Sequence, residues 1–241
     1  MSDTAARPDE PPSFPPLLRG EETPPGTDPF AKAVASAALG TEPGLVVWAR
    51  DESALRAALV LAPEAPLERA IGITFAVALG LGDALGALAP PEVAVHFVWP
   101  DTIKVNGGDC GRLRAAASTA DPAAEPEWLV VGVHVAYLPP AEDDPGLTPE
   151  RTCLVAEGCV DVTPVKLLES WSRHTLVWIN RWLDDGFQPL HESWTSRAWA
   201  LGETLPEGGA FVGLDDLGGM LVRSGRTTEL RPLTLMLEDL S

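Results

Sequence analysis

The 241-residue chain predicts a mixed α/β (α+β) fold, with a mainly antiparallel central sheet, packed helices and a small C-terminal β module. Three observations predict it. Strand-like runs at 93–98, 103–105, 112–116 and 128–136 follow one another through short links, which suits hairpins rather than βαβ crossovers. Two stretches with helical spacing of apolar residues come next. After Gly209 short apolar runs alternate with turn residues.

Taken in order, residues 1–26 hold the clusters Pro11-Pro12, Pro15-Pro16 and Pro24-Pro25, too little apolar surface to offset ordering entropy, and most of the segment reads as a flexible or surface-lying arm. A main domain is expected over 27–205 and the β module over 206–241. Asp28-Pro29 starts a helix through Phe30, Val34 and Ala38 that Gly40 stops. Runs 45–48 and 55–61 read as strands joined by the polar turn Arg50-Asp51-Glu52-Ser53. Residues 67–88 are the most hydrophobic stretch. Glu68, Arg69 and Asp83 interrupt it and its glycines weaken it, so a buried core helix is expected rather than a membrane span.

Asn106-Gly107 marks a tight hairpin turn. Thr163 as cap, Pro164 at the first position and Gly186 at the exit bound a long helix. Leu167, Leu168, Trp171, Thr175, Trp178, Ile179 and Trp182 fall on its one apolar face, which predicts core packing for the tryptophans rather than an aromatic ligand cage. A second helix is expected over 189–201. Strands at 211–214, 219–222 and 230–237, with Asp215-Asp216 and Ser224-Gly225 as turns, complete the chain.

A net charge of −18 opposes nucleic acid and anionic membrane surfaces as partners, and Lys32, Lys104 and Lys166 form no basic run. Cys110, Cys153 and Cys159 are an odd set without disulfide or zinc spacing, and the N-terminus lacks the pattern of a secretory signal. A cytoplasmic protein with free thiols is expected. His96, His134, His174 and His191 show no metal spacing, so no metal site is expected.

The run from Trp99 to Gly108, followed by Gly132 in a valine-rich strand, resembles the biotin and lipoate protein ligases. Trp99, Pro100, Ile103, Asn106, Gly107 and Gly132 match that family's pattern, Asp101 and Thr102 stand at its Asn-Asp pair, and Gly186-Phe187, Trp194, Arg197 and Gly202 match further along. The resemblance implies an acid-binding cleft bounded by Trp99, Asp101, Asn106, Gly107, Asp109, Arg112, Arg114, Gly132 and His134. It also implies ATP, biotin or lipoate as substrates of an active member, and a carrier protein as acyl acceptor.

Adenylation and acyl transfer both build negative charge that needs fixed cationic donors. The family's lysine after the turn falls here on Asp109, its arginine-rich early loop on the short turn at Arg50, and its last strand glycine on His134. Lys104, Arg112 and Arg114 are the remaining catalytic candidates. Arg112 and Arg114 share a strand face, with Cys110 if pairing is regular, and either hold an anion together or face solvent. Lys104 either contacts a phosphate or is a solvent-facing strand lysine. His134 is turned either to ligand or into a satisfied interior contact.

Three functions stand on this reading. The first is a ligase-like protein without normal adenylation that binds a biotin- or lipoyl-like acid or its carrier protein. The second is an atypical active ligase or acyltransferase using Lys104, Arg112 or Arg114. The third is an interaction protein without a small ligand.

Overall fold

A computed structural model describes residues 11–139 and 150–239. Seven strands form one sheet in the order β1 (Arg19–Glu22), β2 (Leu45–Trp48), β3 (Ala54–Leu61), β7 (Leu129–Ala136), β6 (Gly108–Ala117), β5 (Thr102–Val105) and β4 (Val95–Val98). All neighbours are antiparallel except β1 with β2. The described end of the expected arm, 11–26, therefore adds an edge strand, with the Phe14 ring lying against Gly20. Residues 1–10 lie outside the described residues.

One sheet face carries the main core. Leu55, Leu59, Val131, Val133 and Leu113 meet α3 (Ile73–Leu88) and α4 (Pro164–Asp185) there. Residues 67–88 are long and apolar enough to cross a membrane, but α3 is enclosed by protein along almost its whole length. The stretch is also not one helix. α2 (Leu67–Ala70) is separated from α3 at Gly72, where Phe187 packs so closely that a Cβ would sit 2.9 Å from its ring. At Gly80 the absence of a side chain lets α4 cross at Thr175.

The other face is covered at one end by α1 (Pro29–Ala38), whose Phe30, Ala33 and Ala37 pack on Leu45, Val47, Ala58, Val60, Ala116 and Val130. The helix after α4, α5 (Gln188–Thr195), ends before the expected 201. Residues 197–199 instead run beside β4, the Phe97 N–H donating to the Arg197 carbonyl at 3.0 Å and the Trp199 N–H to the Phe97 carbonyl at 2.7 Å. Trp194 stacks on Phe75 at 4.7 Å between ring centroids, so it is a core residue.

The C-terminal hairpins β8 (Ala210–Leu214), β9 (Met220–Ser224) and β10 (Thr227–Arg231) form a three-stranded sheet that shares the main core through Phe211, Met220 and Val222. The last expected strand is shorter than 230–237: β10 ends at Arg231, and Leu233–Met236 is a 3-10 turn. The next residues run along the outer part of β6 that β5 leaves unpaired, with Leu237 beside Ala115 and the Glu238 N–H donated to the Ala115 carbonyl at 2.8 Å.

Candidate functional site

Strand register brings three nitrogen-rich side chains into one row. Arg56 on β3 pairs with His134 on β7, which pairs with Arg112 on β6. Adjacent strands lie about 4.8 Å apart, so directly opposed residues share a face and their side chains stand side by side. The next row is Ala58, Gly132 and Arg114. Ala58 and Gly132 leave space that Phe30 fills; a Cβ on Gly132 would stand 2.6 Å from its ring.

Between the two rows and the start of α1 lies a cavity of about 120 Å³ lined by Asp28, Phe30, Arg56, Arg112, Arg114 and His134, among others. Its space suits a few water-sized groups. A wider open groove of about 600 Å³, near Asp83, His96, His174 and Arg197, lies elsewhere on the molecule. There Asp83 is held from two sides, by Arg197 at 2.8 Å and by the Trp178 indole N–H at 2.8 Å. Arg197 thus has a structural partner at that groove.

The two arginines of β6 differ in kind. Arg112 faces solvent, as one of the two readings expects, and holds Asp101 through one 3.3 Å contact. Arg114 does not. It lies over the Phe30 ring at 4.1 Å, donates to Asp28 at 2.7 Å and grips Glu238 with two hydrogen bonds. Arg114 therefore walls the cavity with its charge already matched.

The expectation that Cys110 shares their face is also corrected. Ile103 pairs with Gly111 but Lys104 with Asp109, so Cys110 is an extra residue at a β-bulge and turns into the main core. Burial pushes its thiol well above the usual range, with Cys153, Cys159 and Glu157 adding to the shift. A thiol held protonated is a poor nucleophile.

Lys104 is not a solvent-facing strand lysine, which rules out one of its two readings. Its side chain is only 14% exposed, pairs with Asp109, donates to the Gly107 carbonyl at 3.1 Å and lies 5.3 Å from the Trp199 ring centroid. Asp109 is thus a lysine's partner. Arg50 likewise grips Glu22 through two bonds of 2.9 and 2.8 Å. The early turn spans only residues 49–53, and Asp51 holds it by accepting from the Ser53 N–H and hydroxyl.

Other expected ligand residues serve the scaffold. The Trp99 indole donates to the Gly218 carbonyl at 3.0 Å and ties the C-terminal sheet to β4. Asn106 and Gly107, at φ 48° and 90°, form the two-residue hairpin turn, and the Asn106 amide also bonds Ala94 and Glu157. Beside the Trp99 to Asn106 strand lies only a small space of about 10 Å³, lined by Pro100, Asp101 and Thr102 among others, whereas the larger cavity is bounded by α1, β3, β7 and β6. Arg112, Arg114, Gly132 and His134 line it, whereas Trp99, Asp101, Asn106, Gly107 and Asp109 do not. Arg56 was outside the expected set because only the β3–β7 register places it there.

His134 is held below its ordinary pKa, first by burial and then by the charge of Arg56, with a smaller push from Arg112; Asp51 and Asp28 oppose it. Burial raises the Asp28 carboxyl, yet the bond and charge of Arg114, with the N–H groups of Phe30 and Ala31, leave it below the ordinary value. The cavity at neutral pH is therefore a neutral imidazole between two guanidinium groups.

Residues 14–196 match the biotin/lipoate A/B protein ligase family. A biotin–acetyl-CoA-carboxylase ligase of Paracoccus denitrificans is 28% identical over 193 residues, 77% of this chain and 80% of that protein. Among solved structures, a biotin protein ligase-like protein of unknown function from Silicibacter sp. tm1040 is 48% identical, with a TM-score of 0.89 over 95% of this chain and all (100%) of that one. The biotin protein ligase of Aquifex aeolicus, solved with biotin and ATP, is 16% identical with a TM-score of 0.65 over 89% of this chain and 94% of that one. At that identity the likeness is one of fold.

Proposed function

The chain belongs to the biotin/lipoate A/B protein ligase family, and we propose that within it this protein binds a biotin- or lipoyl-like acid, free or on a carrier protein, without normal adenylation. One observation carries the reading. Three of the four cations that a phosphate-binding role would call on are closely matched by carboxylates of the chain itself, Lys104 by Asp109, Arg50 by Glu22, and Arg114 by Asp28 and Glu238, while Arg112 keeps a single 3.3 Å contact with Asp101. Turning any of them toward a nucleotide would leave its carboxylate facing the incoming phosphates, a repulsion opposite in sign to the stabilisation that acyl-phosphate chemistry needs.

The similarity to the Paracoccus enzyme favours a second reading, an atypical active ligase that attaches its acyl group to an acceptor lysine. ATP–pyrophosphate exchange with biotin, lipoate and octanoate separates the two. The proposal expects no exchange above background, together with heat of binding for at least one acid in calorimetry. Robust exchange abolished by Arg112→Ala would establish the ligase reading, and binding of none of the acids would leave an interaction protein.

A further inference from the structure

We propose that the Arg56–His134–Arg112 row is an oxyanion seat, which selects a free carboxylate, or a phosphate, over the corresponding amide. The inference rests on the acid-binding reading for its biological ligand, but not for its chemistry. Strand pairing sets the three side chains abreast on one face, lining the cavity that Gly132 also lines. Each guanidinium has five N–H donors. Among the described residues, Arg56 has a single ion-pair contact, 3.9 Å from Asp51, too long for a hydrogen bond, and Arg112 a single one, 3.3 Å from Asp101. Single exposed pairs of this kind contribute little and are easily exchanged.

The third member makes the row more than two surface arginines. His134 stands between them on the middle strand, with Arg56, Arg112, Asp51 and Asp28 as the charged groups acting on it. A bound anion adds to Asp51 and Asp28 a further partner that favours a protonated imidazole, so the seat gains a third charged donor as it fills. The cavity volume of about 120 Å³ admits a carboxylate or phosphate group, and its open side leaves room for the rest of the acid to extend outward. Arg114 closes one wall and, bound to Asp28 and Glu238, does not compete for the anion.

An amide-linked acyl chain on a carrier lysine has no carboxylate to seat. The inference therefore narrows the acid-binding reading to the free acid.

The experiment follows the His134 ring signals by NMR across pH, assigned with His134→Asn, and adds biotin, biotinamide, lipoate, lipoamide or inorganic phosphate. Seating of the anion raises the His134 pKa while those of His96, His174 and His191 stay put. Calorimetry should show Arg56→Gln and Arg112→Gln each weakening acid or phosphate binding about tenfold, the loss expected for one charge-assisted hydrogen bond. If the acids and their amides bind equally and both variants leave affinity unchanged, the seat is wrong while the acid-binding reading stands. If phosphate alone binds, shifts His134 and loses affinity in both variants, the seat stands and the biotin-like ligand falls. A His134 pKa unmoved by every ligand overturns the inference.

Discussion

Arg114 and Glu238, 124 residues apart in sequence, meet in a two-pronged ion pair, Nε to Oε1 at 2.5 Å and Nη2 to Oε2 at 2.8 Å. The pair fastens the end of the described chain to β6, beside the Ala115 carbonyl that accepts the Glu238 N–H. About a third of each side chain is exposed, so solvent screens the attraction. Glu238→Gln is expected to cost about 1 kcal/mol in urea unfolding. Arg114→Ala should cost about 2 kcal/mol, since it also removes the stack on Phe30 and leaves Asp28 without its partner. Equal and negligible losses would show that the tail is not fastened this way.

Gly132→Ala tests the docking of α1. Its Cβ would stand 2.6 Å from the ring of Phe30, which is itself buried, so the ring and the helix start must shift. Overpacking of this kind costs about 1–3 kcal/mol. The loss should disappear in a Phe30→Leu background, where the methyl has room; a persisting loss would point to the β7 backbone instead.

Two glycines of α3 should respond with opposite signs. A Cβ at Gly80 would lie 2.7 Å from the Thr175 main chain, so Gly80→Ala must push α4 away and should cost about 2–3 kcal/mol. Gly86 has nothing within 4 Å, and alanine there should stabilise by roughly 0.5–1 kcal/mol through helix propensity. Thermal unfolding of the two variants distinguishes them directly, and matching shifts would refute the close crossing.

His134 contributes a pH dependence whose sign follows from its depressed pKa. Above the ordinary histidine value both folded and unfolded chains hold it neutral, so it contributes no slope. As pH falls below about 6.5 the unfolded chain takes up the proton first, and stability declines until the lowered folded value is passed. Comparing wild type with His134→Asn in denaturant unfolding between pH 7.5 and pH 5 isolates this slope. A wild-type slope no steeper than the variant's would show that His134 is not held neutral.

Much of the fold was legible because its signals are local. The Asn106-Gly107 pair demands a turn with both residues at positive φ, and the hairpin closes there with Val105 opposite Gly108. The apolar stripe of α4 placed Trp171 and Trp178 in the core. The break at Gly72, by contrast, depends on Phe187 from a distant segment. The same holds for Lys104, whose surroundings include Trp199 from the segment after α5.

The sequence by itself determined the antiparallel sheet, the long amphipathic helix, the C-terminal hairpins and, through Trp99, Gly107 and Gly132, the resemblance that the comparisons bear out. Only the tertiary structure decided which charges are matched and which line the cavity. Periodicity and turn chemistry act over a few residues, whereas the partners of Arg114 lie 86 and 124 positions away and the Arg56–His134–Arg112 row exists only in the register of three strands. A one-residue bulge at Cys110 was enough to send its side chain to the opposite face from both arginines, because a strand has a period of two and a single inserted residue reverses everything beyond it.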